Sequence, residues 1–421
     1  LMGCRNQAHR QRGKMLEVDQ ALNRVLRHVR RLEPRPRPLA DALGLALAEN
    51  VKADRDLPPF DRAAMDGYAV RAADVSAAWA ELDVVAEAPA GSRATVRLRR
   101  GQCARISTGA PLVAGADAVV MLERSQPVGR RRARLAGPVT KWQNVARRGE
   151  DARRNRILLP RGAILTPARM ALLAMVGCAE PLVYPPPSAA VLATGNELVD
   201  PADAPDADQI RDGNSTLIEG MMRRFGLREI RRLGIARDER SRLTGLIEQG
   251  LEAGLLLISG GVSVGDYDLV PSVLAELGCD IVLHKVAMKP GKPILFASGP
   301  SGQPVFGLPG NPVAVLVTLW EFVGPAVRKM MARDPSVPEC RARLRSACKK
   351  KPGRTTFLPA RTARVASGLE TEPIASHGSA DLAAASRADS LIVLPKSVTR
   401  RAAGQMVTVH PLQDAGESSD E

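Results

Sequence analysis

Apolar residues recur at two different spacings along this chain, and the change of spacing divides it. Within 15–33, Leu16, Ala21, Leu22, Val25, Leu26 and Val29 return every three or four positions, which predicts an amphipathic helix. Pro34, Pro36 and Pro38 end it, and a second short helix is expected at about 39–50. From 54 to 145 short β-prone pieces (YAVRA, LDVVAEA, ATVRLRR, QCARIST, DAVVMLE) alternate with Gly, Pro and Asp, the pattern of a small all-β domain. Residues 146–183 return to helix-rich sequence. There TPARMALLAMVG offers Thr166 as an N-cap and Pro167 at the first helical position.

Residues 186–333 alternate strand and helix. SAAVLATG, REIRRLGIA and LLLISGG read as strands; NSTLIEGMMRRFG, stopped by Gly226, and ERSRLTGLIEQGLEAG read as helices. The unbroken apolar run of LLLISGG suits the middle of a parallel sheet. SVLAELG, IVLHKVAM, KPILFAS and PVFGLPG continue the alternation, and PVAVLVTLWEFVGPAVRKMM closes it. A doubly wound α/β domain is expected. Residues 337–412 revert to short β pieces, suggesting a small barrel or sheet. Residues 1–14 and the acidic tail DAGESSDE are expected to be disordered.

At 421 residues the chain exceeds one ordinary domain. Aromatics are only 3%, so its cores must be built from Ala, Val, Leu and Ile. No run of about 20 apolar residues predicts a membrane span, and the basic N-terminus lacks the apolar segment of a signal peptide. Cys4, Cys103, Cys178, Cys279, Cys340 and Cys348 are scattered, with no CxxC pair and no histidine cluster. They read as free thiols in a reducing, cytoplasmic compartment, with no zinc site. The net charge of +15 is mostly arginine spread along the chain. Without interleaved aromatic platforms it does not argue for nucleic acid.

Four Gly- or Pro-rich loops fall where an open α/β sheet binds ligands, beyond the carboxyl ends of its strands. They are Thr194-Gly195-Asn196-Glu197, Ser259-Gly260-Gly261-Val262-Ser263-Val264-Gly265, Lys289-Pro290-Gly291-Lys292-Pro293 and Leu308-Pro309-Gly310-Asn311-Pro312. Glycine lets backbone N–H groups approach an anion, and the helix after Pro312 would point its positive end at the same place. Lys285, Lys289 and Lys292 stand out among arginines. On an extended segment Lys285 and Lys289 share one face, and the three could hold a tetrahedral oxyanion as compact charges. Glu197, Asp238, Asp266 and Asp268 are the nearby carboxylates, suited to Mg²⁺ with phosphate oxygens and water completing its shell. Asp238 is equally a helix N-cap, and Asp212 and Asn214 read as caps. Asp66-Gly67, Thr108-Gly109-Ala110-Pro111 and Gly149-Glu150-Asp151 are turns, none diagnostic alone.

Together these segments resemble the MoeA family of molybdopterin molybdenumtransferases, which includes the gephyrin E domain. PPFDRAAMDGYAV, RISTGAPLVAGADAVVMLE, RRGEDAR, LATGNEL, SGGVSVGDYDLV, VAMKPGKPILFA and GLPGNPVAV run in the family's order from about residue 57 to 320. The resemblance implies four domains: a split helix-rich domain (15–53 and 146–185), a β insertion (54–145), an α/β domain that binds the pterin (186–334) and a C-terminal β domain (337–412). It implies a homodimer whose active sites are shared between subunits. The implied reaction takes adenylylated molybdopterin and molybdate, needs Mg²⁺, and yields molybdenum cofactor and AMP. The molybdopterin adenylyltransferase and acceptor molybdoenzymes would be the neighbouring partners.

Carried over, the family's functional positions fall on Asp66, Thr108, Asp151, Glu197, Asp238, Asp268, Lys285 and Lys289. Asp238 and Asp268 would hold the metal, and Lys289 and Lys292 the molybdate. Thr194, Gly195, Gly260, Gly261, Ser263, Pro309, Gly310, Asn311 and Pro312 would form the pterin-nucleotide loops. Three departures stand out. Arg62-Ala63 replaces a frequent Asn-Ser, and Asn196 replaces an acid found in some relatives. Pro359 occupies a position, two after Phe357, that is commonly basic. Arg361, two residues further on a regular strand, is expected to substitute for it together with Ser379. Rival readings are a non-enzymatic scaffold, the related adenylyltransferase and a nucleic-acid binder. The retained acids and lysines oppose the first, the extra domains the second, and the scattered charge the third.

Overall fold

The computed structural model describes residues 15–92, 94–237, 239–262 and 268–412. Asp238, Ser263 and Asp266 lie outside these, as do residues 1–14 and the acidic tail. Two compact units emerge. One takes the chain up to Arg35, Gly44–Ala46 and everything from Val183 on; the other takes Pro36–Leu43 and Leu47–Leu182.

The periodic N-terminal segment forms helix α1 (Val18–His28), burying Val18, Ala21 and Val25 within the first unit. The expected second helix does not form. Leu39–Asp41 makes a single 3₁₀ turn and Ala46–Leu47 is extended. Gly44 lies between them at φ 78°, a left-handed conformation that stops a helix.

The second unit is organised around a six-stranded sheet. Its strands are β1 (Gly67–Val70), β2 (Trp79–Ala88), β3 (Gln102–Ile106), β4 (Ala118–Met121), β5 (Ser125–Val128) and β6 (Arg132–Ala136), in spatial order β4-β1-β3-β2-β6-β5. All neighbours are antiparallel except β2 and β3. ATVRLRR makes only an isolated bridge, Arg97 to Ala114. The core on one face is small and aliphatic, with Ala63, Ala69, Ala104, Ile106, Val113 and Val119 fully or nearly buried. Small side chains allow close backbone approach: a Cβ on Gly67 would sit 1.9 Å from the Val120 carbonyl oxygen. Helix α2 (Pro167–Met175) begins as expected, with Thr166 Oγ1 accepting the Arg169 N–H.

In the first unit, β7 (Ala189–Thr194), α3 (Asn214–Arg224), β8 (Ile230–Ala236), α4 (Arg240–Leu251), β9 (Leu255–Ser259), α5 (Val270–Glu276), β10 (Asp280–His284), β11 (Leu295–Ser298) and β12 (Pro304–Leu308) follow in turn. The sheet order is β8-β7-β9-β12-β11-β10. β8, β7, β9 and β12 are parallel; β11 and β10 are added antiparallel. β9 is buried along its whole length, as its continuous apolar sequence requires. Beyond β12, α6 (Pro312–Thr318), a π-turn (Leu319–Val323) and α7 (Gly324–Met330) form one buried helical run.

The C-terminal strands β13 (Cys340–Leu344), β14 (Thr355–Val365), β15 (Gly368–Pro373), β16 (Ser390–Leu394) and β17 (Met406–Pro411) pair as β14-β15-β13-β17-β16. β16 pairs again with β14 and closes a barrel. Among the described residues, no helix is long and apolar enough to cross a membrane.

Candidate functional site

The loops after the parallel strands are fastened to one another. Gly260 N–H donates to Leu308 O at 3.1 Å, and Gly195 N–H to Ala236 O at 3.1 Å. Thr194 Oγ1 donates to Ser259 O at 3.4 Å. The glycine pair is required by this crowding. Gly260 has φ +88°, and a Cβ there would stand 2.5 Å from Thr194 O; at Gly261 (φ +64°) it would stand 2.8 Å from Thr194 Oγ1.

A cavity of about 450 Å³ opens among these ends. Thr194, Gly195, Gly260, Gly261, Pro309, Gly310 and Pro312 line it, seven of the nine expected pterin-nucleotide residues. The carboxylates Glu197 and Asp268 line it too. Among the described residues no three His, Cys, Asp or Glu side chains gather into a metal-binding group. Two carboxylates in the lining nevertheless fit Mg²⁺, which commonly takes one or two from protein and its remaining ligands from phosphate and water.

Asp212 acts as the cap expected of it: buried, it accepts the Ser215 N–H at 3.0 Å. Asn214 is not the cap expected of it, since Gly213 holds that position and Asn214 is the first residue of α3. Its Nδ2 donates to Ser259 Oγ at 3.0 Å and to Gly310 O at 2.7 Å, and the residue lines the cavity. An Asn at a helix start looks the same in sequence whether or not it bridges two distant loops.

A second cavity, about 740 Å³, shares Glu197, Ile210, Pro293, Pro309 and Gly310 with the first and runs towards the barrel. Lys289, Lys292 and Arg354 line it, with Asn311, Ser376 and Ser379. Its walls are stapled together. The two-residue strand Met288–Lys289 pairs in parallel with Thr355 and Thr356 of β14. Asn311 Nδ2 donates to Ser379 Oγ at 3.0 Å, and Val313 N–H to Ser379 O at 3.0 Å. Asp381 holds the serine loop from below. The N–H groups of His377 and Ala384 donate to its carboxylate, which lowers its pKa below the ordinary range.

Two expectations about the oxyanion residues need correction. Lys285 lines neither of these cavities. It adopts φ 75°, so the segment is not evenly extended and the spacing of four does not put it beside Lys289. Arg361 is also absent from both linings; it is exposed, and its Nε donates to Arg387 O at 3.3 Å. Pro359 does line the second cavity, and the arginine accompanying it there is Arg354, five residues upstream. The signal available in sequence was the cluster Lys349–Lys351 and Arg354 placed just before Phe357.

Asp66, Thr108 and Asp151 belong to the other unit, where all three are exposed. Asp66 Oδ1 accepts the Thr108 N–H at 2.8 Å. The three turns singled out in sequence are laced to one scaffold: Gly109 N–H donates to Ala63 O, Arg148 N–H to Asp61 Oδ1, and Asp151 N–H to Leu57 O. Asp56 anchors the same loop. The Arg154 N–H and the Arg148 guanidinium both bond its carboxylate and lower its pKa.

Three family models match in succession: MoeA N-terminal region (domain I and II) over 16–177, probable molybdopterin binding domain over 190–329, and MoeA C-terminal region (domain IV) over 341–412. A molybdopterin molybdenumtransferase of Bacillus subtilis is 32% identical over 94% of this chain and 93% of its own length. One from Nostoc sp. is 40% identical over 69% of this chain and 67% of its own. Among solved structures, a molybdopterin biosynthesis MoeA protein from Pyrococcus horikosii superimposes with a TM-score of 0.80 at 32% identity, covering 95% of this chain and 100% of its own.

Proposed function

The chain belongs to the MoeA family of molybdopterin molybdenumtransferases, and from that premise we propose that it inserts molybdenum into adenylylated molybdopterin, using molybdate and releasing AMP. One observation carries this reading: two cavities meet along Glu197, Pro309 and Gly310, one walled by glycine loops and carboxylates, the other by cations and hydroxyls. A pterin nucleotide seated on the glycine loops would present its phosphates at that common wall. Lys289 and Lys292 would hold molybdate beyond it as compact charges.

The two dithiol sulfurs would bond molybdenum and displace one oxide ligand, which leaves as water with the two thiol protons, while a second water would attack the phosphoanhydride to give AMP and the pterin's terminal phosphate. Glu197 and Asp268 would hold Mg²⁺, which when bound would draw charge from the phosphoanhydride and favour the departing AMP. Fixed lysine charge lowers the cost of the oxide that develops on the anion side. The proposal includes a homodimer, in which Asp66, Thr108 and Asp151 of one copy complete the site of the other and Asp66 or Asp151 orients water or passes a proton. The four-domain division and a cytoplasmic setting, between an adenylyltransferase and acceptor molybdoenzymes, belong to the same reading.

The test is reconstitution. Purified protein, adenylylated molybdopterin, Mg²⁺ and molybdate are incubated with an apo-molybdoenzyme. Gain of acceptor activity that needs all four components supports the reading; an acceptor that stays inactive, with the pterin nucleotide bound and intact, contradicts it.

A further inference from the structure

The charge on the second cavity does not stop at the two lysines. Lys289, Lys292 and Arg354 line it against one carboxylate, Glu197. Three positive charges less one negative leave +2, which matches a dianion. Among the described residues none of the three cationic groups has a hydrogen-bond or ion-pair partner on the protein. Unpaired cations gathered on one cavity repel one another, and an anion relieves that repulsion.

We infer that Arg354 is the third cation of this oxyanion site, supplying the charge that the apolar ring of Pro359 cannot, an inference that rests on the function proposed above. Its backbone is fixed on both sides. Thr355 N–H donates to Ala287 O at 3.0 Å, and β14 pairs there with the strand that carries Lys289. On the other side the Arg354 carbonyl accepts Lys350 Nζ at 2.9 Å. Lys350 is thereby committed as a strut, bonding the Lys396 carbonyl as well. Pro359 is buried in the same wall and has no N–H to donate. The guanidinium offers a planar fork of donors that suits two oxygens of a tetrahedral anion, where each lysine offers one point charge. Arg354 therefore sets affinity for the oxyanion, and the serine loop at Ser376 and Ser379 bounds its size.

Direct binding of sodium molybdate to the full chain, by calorimetry at fixed ionic strength and without pterin, isolates this role. Wild type is expected to bind saturably, and Arg354→Ala to raise Kd about tenfold or more, as loss of a charge-assisted contact implies. Arg354→Lys should recover part of the loss. Arg361→Ala should stay within about twofold of wild type, since its guanidinium faces Arg387. Lys289→Ala serves as the control for the cavity itself. If Lys289→Ala weakens binding and Arg354→Ala does not, the inference is overturned and the proposed function stands. If wild type shows no saturable binding, the oxyanion role of the cavity falls, and Arg354 with it. Thermal melts accompany each variant; should Arg354→Ala not fold, Arg354→Gln is judged by the same criterion.

Discussion

Asn214 Nδ2 reaches the carbonyl oxygen of Gly310 at 2.7 Å and Ser259 Oγ at 3.0 Å, so one side-chain amide joins the start of α3 to the end of β9 and the loop after β12. Both partners line or border the cavity assigned to the pterin nucleotide. Asn214→Ala is expected to cost roughly 1 kcal/mol of stability, the usual net value of such a contact. It should also raise KM for adenylylated molybdopterin several-fold with a smaller change in kcat. Asn214→Asp should be worse, because it sets a carboxylate oxygen against the Gly310 carbonyl. Unchanged KM in both variants would show that the loops hold their positions without this bridge.

The Asp66 carboxylate accepts the Thr108 N–H, a purely structural task that an amide oxygen can also perform. Asp66→Asn therefore separates structure from chemistry. The account predicts a melting temperature close to wild type and a loss of turnover of about 100-fold or more, the range for a group that handles protons. Turnover near wild type would reduce Asp66 to a loop anchor.

Glu321 and His410 form a buried pair between the π-turn and β17, with Nδ1 to Oε1 at 2.7 Å. Burial raises the Glu321 pKa, and the hydrogen bond and charge of His410 draw it partly back. A raised value means that the folded chain keeps a proton the unfolded chain has released. Stability from this group is thus fully present below about pH 4.5, the ordinary carboxylate value, and is lost as pH rises through the folded value. Glu321→Gln should flatten that decline while keeping an acceptor for His410. Glu321→Ala, which leaves a buried ring nitrogen unpaired, should cost about 1–3 kcal/mol. Denaturant unfolding at a series of pH values checks both; an identical pH slope in wild type and Glu321→Gln would refute the assignment.

Cys103 is fully buried in β3, and burial, with the charge of Asp83, pushes its thiol up to about 12. It should resist alkylation at neutral pH until the second unit unfolds, so its labelling rate, read by mass spectrometry, should follow unfolding through a denaturant series. Rapid labelling of the native chain would contradict the burial.

Several elements were legible because their signals are local. The apolar run of β9, the Thr166 cap and the helical spacing of α1 each sit within a few residues, and each forms as expected. The four loops were legible because glycine and proline mark turns. What escaped depends on backbone angles or distant partners. Gly44 at φ 78° ends a segment of good helix formers, and Lys285 at φ 75° breaks the even spacing that would align it with Lys289 on an extended strand. Arg361 lies on the correct strand, but its guanidinium bonds the Arg387 carbonyl, while the pairing of Met288–Lys289 with Thr355 and Thr356 leaves Arg354, the preceding residue, on the cavity that Lys289 lines. No spacing rule encodes that register. Asn214 reads as a cap in the sequence, but Gly213 takes that position, and the two partners of its amide lie 45 and 96 residues away.

The central claim is that the glycine-walled and cation-walled cavities act on one reaction. The most direct measurement is AMP release from adenylylated molybdopterin, with Mg²⁺ present, as molybdate is varied. The account predicts saturable, molybdate-dependent release in wild type. Lys292→Ala should require several-fold more molybdate for half-maximal rate while retaining its affinity for the pterin nucleotide. AMP release that ignores molybdate, or a Lys292→Ala variant with an unaltered molybdate response, would contradict it.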